Sequence, residues 1–427
     1  MTKPQPHARQ VVQTALFQQG HDQAIHLLRQ CCTADGFLAS LTEQDNYRRI
    51  WARDGVITGL AALLTGEQDL LNTFKQTLLT LARYQGPHGE IPSNVDTLSE
   101  RVSYGGTTGR IDADLWFVIG CGEYWAATQD KAFIDTVFPA MEKVRQLLGA
   151  WEFNNRGLLY VPPAGDWADE YLHSGYVLYD QLLYLQAQRT FCALHHCVHK
   201  NIDHPLLERK DRLKHLLQAN YWFRDGDDIP DDVYHEVLYC KGHGAAPHCA
   251  GYYWMPFFSP TGYGYRFDSF ANVLVSLLDV ADGEQRQAVD EFIGGLLPDD
   301  TSLLPAFHPV IEPVDEDWKE LQMTFSYSFK NKPYEFHNGG LWSMISGFYV
   351  ADLAKRGQLE LAGKYLAAIH RANKLNPDDE DWGFYEYLHG QTLQPGGTQY
   401  QAWSAAGALI GHYALQGKPV FQIDGIK

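Results

Sequence analysis

Apolar residues recur at three- and four-residue intervals through most of the 427-residue chain, and strict alternation is nearly absent. That period marks amphipathic helices. It predicts twelve of them, over 11–32, 54–65, 69–84, 112–128, 130–151, 177–198, 204–220, 269–281, 283–297, 340–356, 358–373 and 400–416. In the third the stripe is Leu70, Leu71, Phe74, Leu78 and Leu81; in the sixth it includes Leu178, Leu182, Leu185, Phe191 and Leu194. Strand signals are confined to short pieces such as Gly157 to Val161. The connections alternate. Those at 66–68, around 129, 199–203, around 282 and around 357 are short; those at 33–53, 85–111, 152–176, 221–268, 298–339 and 374–399 are long. Helices joined by tight turns are antiparallel neighbours, so all the long loops emerge on one face. The expected fold is all-α: an (α/α)6 barrel of six inner and six outer helices, one domain over 1–427. Small residues in the helices that follow long loops, such as Gly59, Gly120, Gly347 and Gly407, suit close packing in an inner ring.

Long loops inside compact domains are usually functional. Here each carries a polar-aromatic cluster: Tyr47 to Asp54, Gly89 to Asn94, Gly109 to Trp116, Gly165 to Glu170, Tyr265 to Asp268, His337 to Trp342, Phe384 to Tyr387, and Gln399 to Ser404. Together they form a bowl of carboxylates, arginines, amides and tryptophans. Polar groups bind hydroxyls in pairs and rings cover apolar faces, so a small saccharide is the expected partner. Composition agrees, with 13 % aromatic residues, 11 Trp and 24 Tyr.

Charge narrows the partners. With 34 Lys and Arg against 52 Asp and Glu, the chain carries −18 with its 18 His neutral. Such a body repels nucleic acid and anionic membrane. No apolar run is long enough to span a bilayer, and the polar stretch Met1 to Gln10 has no leader pattern. The seven cysteines are odd in number and form no CxxC pair, which reads as reduced thiols in the cytoplasm. Oligomeric state is open. His235, Cys240, His243, His248 and Cys249 share one loop, but their spacing fits no zinc pattern, and neither a metal nor a cofactor is expected.

Hydrolysis of a glycosidic bond needs two carboxyl groups on opposite faces of the sugar. Asp169 lies beside Trp167 and near Tyr171, where burial would hold a proton on it. Glu386 lies among Phe384, Tyr385 and Tyr387. Asp54, Asp112, Asp166 and Asp268 are rivals by composition. Asp54 follows Arg53 and Asp112 follows Arg110, which favours ionised hydroxyl acceptors there. Asp169 as a helix cap and Arg53 with Asp54 as a plain salt bridge are the structural alternatives.

At these residues the chain resembles the six-hairpin glycosidases, especially the neutral/alkaline invertases and the glucosidase domain of glycogen debranching enzymes. Trp51-Ala52-Arg53-Asp54 is similar to the segment that binds the sugar in the −1 position. Asp112-Ala113-Asp114-Leu115-Trp116-Phe117 is similar to the debranching-enzyme form of the next segment. Trp167-Ala168-Asp169 resembles the segment whose Asp is the general acid, and Glu386 occupies the place of the base. His337 to Trp342 resembles the invertase form, and Gln401-Ala402-Trp403-Ser404 the closing segment of both families. After Asp169 the sequence departs from the invertases, sharing only Gln181 with their next segment. The resemblance implies an inverting exo-acting glycoside hydrolase, with Asp169 and Glu386 catalytic and roughly 6.5–9.5 Å apart. It implies substrate contacts from Trp51, Arg53, Asp54, Asn94, Asp112, Trp116, Asp166, Trp167, Gln181, Phe267, Asp268, His337, Asn338, Trp342, Gln401 and Trp403. Sucrose is the foremost substrate. An amylo-α-1,6-glucosidase and a glucosylglycerate or mannosylglycerate hydrolase remain open. So do a sugar 2-epimerase, which would need a His acid/base pair, and a sugar-binding protein.

Overall fold

The computed structural model describes residues 6–43, 46–199, 204–224, 229–296, 303–324, 327–377 and 382–423. The twelve expected helices are present: α1 (Pro6–Gln30), α2 (Ala52–Thr65), α3 (Gln68–Arg83), α4 (Ile111–Thr128), α5 (Lys131–Trp151), α6 (Leu178–His199), α7 (His204–Tyr221), α9 (Ser269–Leu277), α10 (Gly283–Leu296), α12 (Ser343–Lys355), α13 (Leu359–Lys374) and α14 (Ala402–Ala414). Two more lie inside long connections, α8 (Glu236–Ala245) and α11 (Trp318–Gln322). The turn expected at 199–203 falls almost wholly outside the described residues.

Helices α2, α4, α6, α9, α12 and α14 contact one another in that order, and α14 closes back on α2. This is the inner ring of an (α/α)6 barrel. Outside it α3 packs on α2, α5 on α4, α7 on α6, α13 on α12, and α1 on α14. Helix α10 joins through Asp290, which accepts from the Tyr349 hydroxyl of α12 at 2.9 Å and pairs with Arg356. Burial separates the rings as the physics requires. Outer α3 buries a stripe that includes Leu70, Phe74, Leu78 and Leu81, whereas every residue of inner α9 is buried.

The short strand piece anticipated at Gly157 to Val161 reduces to a single bridge between Val161 and Gly175. Two- and three-residue strands appear instead, all antiparallel and all in the long loops. Among them β1 (Ile50–Trp51) pairs with β2 (Asn94–Asp96), and β2 with β3 (Arg101–Ser103). Next, β4 (Tyr176–Val177) pairs with β5 (Phe257–Ser259), and β5 with β6 (Gly262–Tyr263). The pair of β7 (Phe267–Asp268) is β9 (Phe307–His308). The strand β10 (Leu341–Trp342) lies between β8 (Leu304–Pro305) and β11 (Tyr387–Leu388), and β12 (Pro395–Gly396) borders β11. Strands β1, β4, β7 and β10 each run directly into an inner helix, and Gln401, just before α14, bridges to Ser40. Neighbouring loops are thus zipped together at the end where inner helices begin. Runs this short show no alternation in sequence.

Helices α12 and α14 approach most closely where Gly347 faces Gly407. A methyl group on Gly347 would run into the Gly407 carbonyl, which is backbone and unable to turn aside. Overpacking of this kind costs about 1–3 kcal/mol. Gly347→Ala should therefore lower the melting temperature in calorimetry, and a wild-type value would show that the ring has slack at this crossing.

Candidate active site

The bowl is built at the N-termini of the inner helices. Arg53, Asp54 and Asp112 lie in the first turns of α2 and α4, Asp180 in that of α6, and Asp268 caps α9 by accepting from the Ala271 N–H at 3.0 Å. Two loops come with them. The Ile111 N–H donates to the Gly165 carbonyl at 2.9 Å, which ties the Asp166–Asp169 loop to α4. The Glu386 N–H donates to the Thr398 carbonyl, and the Gln401 N–H to the Phe384 carbonyl, both at 2.9 Å. Those bonds fix Glu386 beside Gln401.

Asp169 is half-buried, and its direct partner is the Arg110 guanidinium, which also donates to the Asp166 carbonyl at 3.2 Å. The sequence expectation of an apolar setting for Asp169 is corrected here: its nearest neighbour is a cation. Glu386 is the buried carboxyl. Its Oε1 accepts from the Tyr47 hydroxyl at 2.7 Å and its Oε2 from the Thr398 N–H at 3.1 Å. Burial pushes its pKa up to about 7, against the pull of Tyr47 and Thr398. Gly397, at φ 72°, allows this fit; a Cβ there would strike the Glu386 carboxyl. Tyr47 lies within electrostatic reach of Glu386, Asp54 and Asp169, so the three carboxyls share one region.

The arginines are shared differently from their sequence order. Arg53 donates to Asp112 at 2.9 Å and has Asp54 at 3.5 Å, while its guanidinium lies over Trp403. Neither Asp54 oxygen accepts a hydrogen bond, and burial raises its pKa to about 6 despite Arg53. Asp54 is thus less firmly ionised than its neighbour in sequence suggests. Asp112 is raised by burial as well. A second cluster centres on His173, which sequence reasoning missed. Its Nδ1 meets Asp166 at 2.7 Å, and its Nε2 lies 3.7 Å from Asp268. Burial opposes a charge on this imidazole, but the two carboxylates outweigh it and its pKa sits above the ordinary value. Burial raises Asp268 to about 6. Asp180 is fully buried with neither oxygen bonded, and its pKa is pushed well up by burial and then by Asp166 and Asp112. His337 is held neutral by burial and by Arg53, between the Trp342 ring at 5.6 Å and the Phe336 ring at 4.0 Å.

Several buried polar atoms here have no hydrogen-bond partner in the protein: both Gln401 side-chain atoms, Nε1 of Trp167 and of Trp403, His337 Nδ1 and Asp268 Oδ2. Trp51 is half-exposed and stacks on Tyr47 at 5.8 Å, and Asn94, its ladder partner, accepts from Arg49. Several expected contacts have other tasks. Gln181 spends both ends of its amide on Leu159, at 2.9 and 2.8 Å. Asn338 does the same with Ile311 at 2.7 and 2.9 Å. Trp116 is sealed in the core, donating to Tyr179 at 2.8 Å. Phe267 packs against Tyr253 and Phe292, because successive strand residues face opposite sides and Asp268 takes the inner one. Trp342 lies one layer down, its indole N–H held by the Phe336 carbonyl.

Three members of the His- and Cys-bearing loop have structural tasks. His235 caps α8, His243 bonds the Arg224 carbonyl at 2.8 Å, and Cys249 lies 3.0 Å from the Tyr253 hydroxyl. Among the described residues no group of three His, Cys, Asp or Glu side chains is placed to hold a metal ion, and no helix is long and apolar enough to cross a membrane.

Comparison with known proteins supports the same fold. The family described as alkaline and neutral invertase matches residues 232–419. Cytosolic invertase 1 of Oryza sativa subsp. japonica is 24% identical over 420 residues, covering 87% of this chain and 72% of its own. Alkaline/neutral invertase E, chloroplastic, of Arabidopsis thaliana is 23% identical, covering 92% and 72%. The mannosylglycerate hydrolase of Thermus thermophilus superposes with a TM-score of 0.64 at 15% identity, over 92% of this chain and 99% of that one. A bacterial glucoamylase complexed with acarbose gives 0.63 at 13%, over 95% and 56%. The chain has the six-hairpin glycosidase fold and resembles the invertases, and these likenesses support a glycoside hydrolase.

A carboxyl whose folded pKa lies above its unfolded value binds more protons when folded, so its contribution to stability declines as pH rises. For Asp54 that window runs from about 4 to about 6. Asp54→Asn should match wild-type stability near the bottom of this window and gain about 1–3 kcal/mol over it by pH 7. Denaturant titrations at both pH values check this; a constant difference would mean that Asp54 is not strained by burial.

Proposed function

We propose that this chain is an inverting, exo-acting glycoside hydrolase that releases a terminal glucosyl unit from a neutral α-glucoside, with sucrose as the first substrate to test. The observation that carries the reading is that Asp169 and the buried Glu386, from loops far apart in sequence, are both tied to the end of the barrel where the inner helices begin. Asp169 protonates the glycosidic oxygen. Glu386 takes the proton from a water that attacks the anomeric carbon from the opposite face, so the bond to the aglycone breaks as the bond to water forms. Arg53, Asp54, Asp112 and Gln401 hold the glucosyl hydroxyls. Asp169 has Arg110 as its direct partner, and Arg110 also donates to the Asp166 carbonyl at 3.2 Å, which orients the loop that carries the acid. Catalysis in the cytoplasm goes with this reading; among the relatives one is named cytosolic and others chloroplastic or mitochondrial.

A glycerate-bearing substrate is favoured by the mannosylglycerate hydrolase likeness alone. The arginine nearest the aglycone side, Arg266, is already paired with Asp317 at 2.6 Å. An epimerase would need two histidines as an acid/base pair, but His337 is neutral among rings and His173 is bound by Asp166.

Asp169→Asn and Glu386→Gln should each lower sucrose turnover by about 10²–10⁴-fold. Because Glu386 must be ionised to act as base, kcat/KM should fall about tenfold per pH unit below roughly pH 7. Tyr47→Phe removes a hydrogen bond to the ionised form and should move that limb to higher pH. Glucose release is the assay, with maltose, isomaltose, trehalose and glucosylglycerate beside sucrose. Hydrolysis of another member, lost in both variants, would keep the mechanism and change the substrate. No release from any member would sink the hydrolase reading.

A further inference from the structure

Beyond Asp169 the bowl opens into a cavity of about 1130 Å³ that includes Asp169, Tyr171 and His173 in its lining. Its far walls come from the loops at 245–265 and 307–324. Sites for single drug-sized ligands occupy about 300–1,000 Å³. One hexose or fructose unit leaving from the scissile bond would fill only a fraction of this space. The walls are rich in rings: Phe257 and Tyr265 are half-buried, with Tyr253, Tyr263 and Phe307 behind them. Between the rings lie hydroxyls and imidazoles, those of Ser259, Thr261, His248 and His308 among them. Half-exposed rings with hydroxyl and imidazole neighbours suit the alternating apolar and polar faces of sugar units. Charge points the same way. Arg266 is neutralised by Asp317 at 2.6 Å and Glu320 adds negative charge, so an anionic aglycone gains no free arginine here.

We propose that this cavity is an extended aglycone site for a neutral oligosaccharide, holding two or more sugar units beyond the bond that is cleaved. The inference rests on the hydrolase reading for which bond is cut, but the length preference itself is a property of the cavity. The preferred substrate is then a glucosyl-terminated oligosaccharide longer than a disaccharide, and a disaccharide is its truncated form.

Two series decide the matter: sucrose, 1-kestose and nystose, and maltose, maltotriose and maltotetraose. Turnover is measured on the wild type. Binding is measured by calorimetry on Glu386→Gln, so that length dependence is read whether or not hydrolysis occurs. Stacking on a ring adds about three- to tenfold in affinity per unit. The expected result is a gain of that size with each added unit in one series, in kcat/KM and in affinity together. Tyr265→Ala should remove most of the tetrasaccharide's advantage over the disaccharide. Equal or weaker binding of the longer sugars in both series would overturn the proposal, even with sucrose hydrolysed. Length-dependent binding with no turnover of any sugar would uphold the cavity and overturn the hydrolase reading instead.

Discussion

All six inner helices start at the same end of the barrel, and the site follows from that. A helix start presents unpaired N–H groups and a partial positive charge, which favours carboxylates in the first turn. Asp54, Asp112, Asp180 and Asp268 occupy such positions on four of the six inner helices. The closed ring also buries them, and burial works against their charge. For Asp54 and Asp268 burial wins, and both titrate near 6. Carboxyls poised between their two forms can accept or donate to a hydroxyl, which fixed anions cannot do.

Counter-charge in the bowl is scarce. Arg53 is divided between Asp112 and Asp54, Arg110 is taken by Asp169, and His173 is held between Asp166 and Asp268. His337 is neutral and walled by rings. An anion would meet acids whose cations are already engaged. A polyol meets unpaired amide and indole groups on Gln401, Trp167 and Trp403, which need no charge to bind it.

Outer helices such as α3 and α5 were legible because their burial repeats at helical spacing, and the alternation of connection lengths located the bowl. What escaped was whatever depends on a single contact. Gln181 and Asn338 have the residue type of a sugar ligand, and only the backbone opposite them shows that both ends of each amide are used. Phe267 beside Asp268 looked like one site pair, yet a two-residue strand turns them to opposite faces. His173 follows Asp166 by seven residues in an irregular loop, where no period brings them together. Tyr47 stood inside a recognised cluster, but its bond to Glu386 spans 339 positions. The α8 segment was absorbed into a long connection because its buried residues are few, Tyr239 and Gly242 among them.

The two central carboxyls rest in environments opposite to a simple reading of their tasks. Asp169, given the acid role, sits against an arginine; Glu386, given the base role, is buried with a pKa near 7. Exposure separates the two settings, since a ligand in the bowl alters one more than the other. It covers the half-exposed Asp169 beside Arg110. It does little to Glu386, already sealed and held from both oxygens by Tyr47 and Thr398. Under the proposed roles the base is held by the fold from both oxygens, and the acid faces the aglycone side, where Asp169 lines the cavity. The walls beyond Asp169 thus adjoin the proposed acid as well as the aglycone.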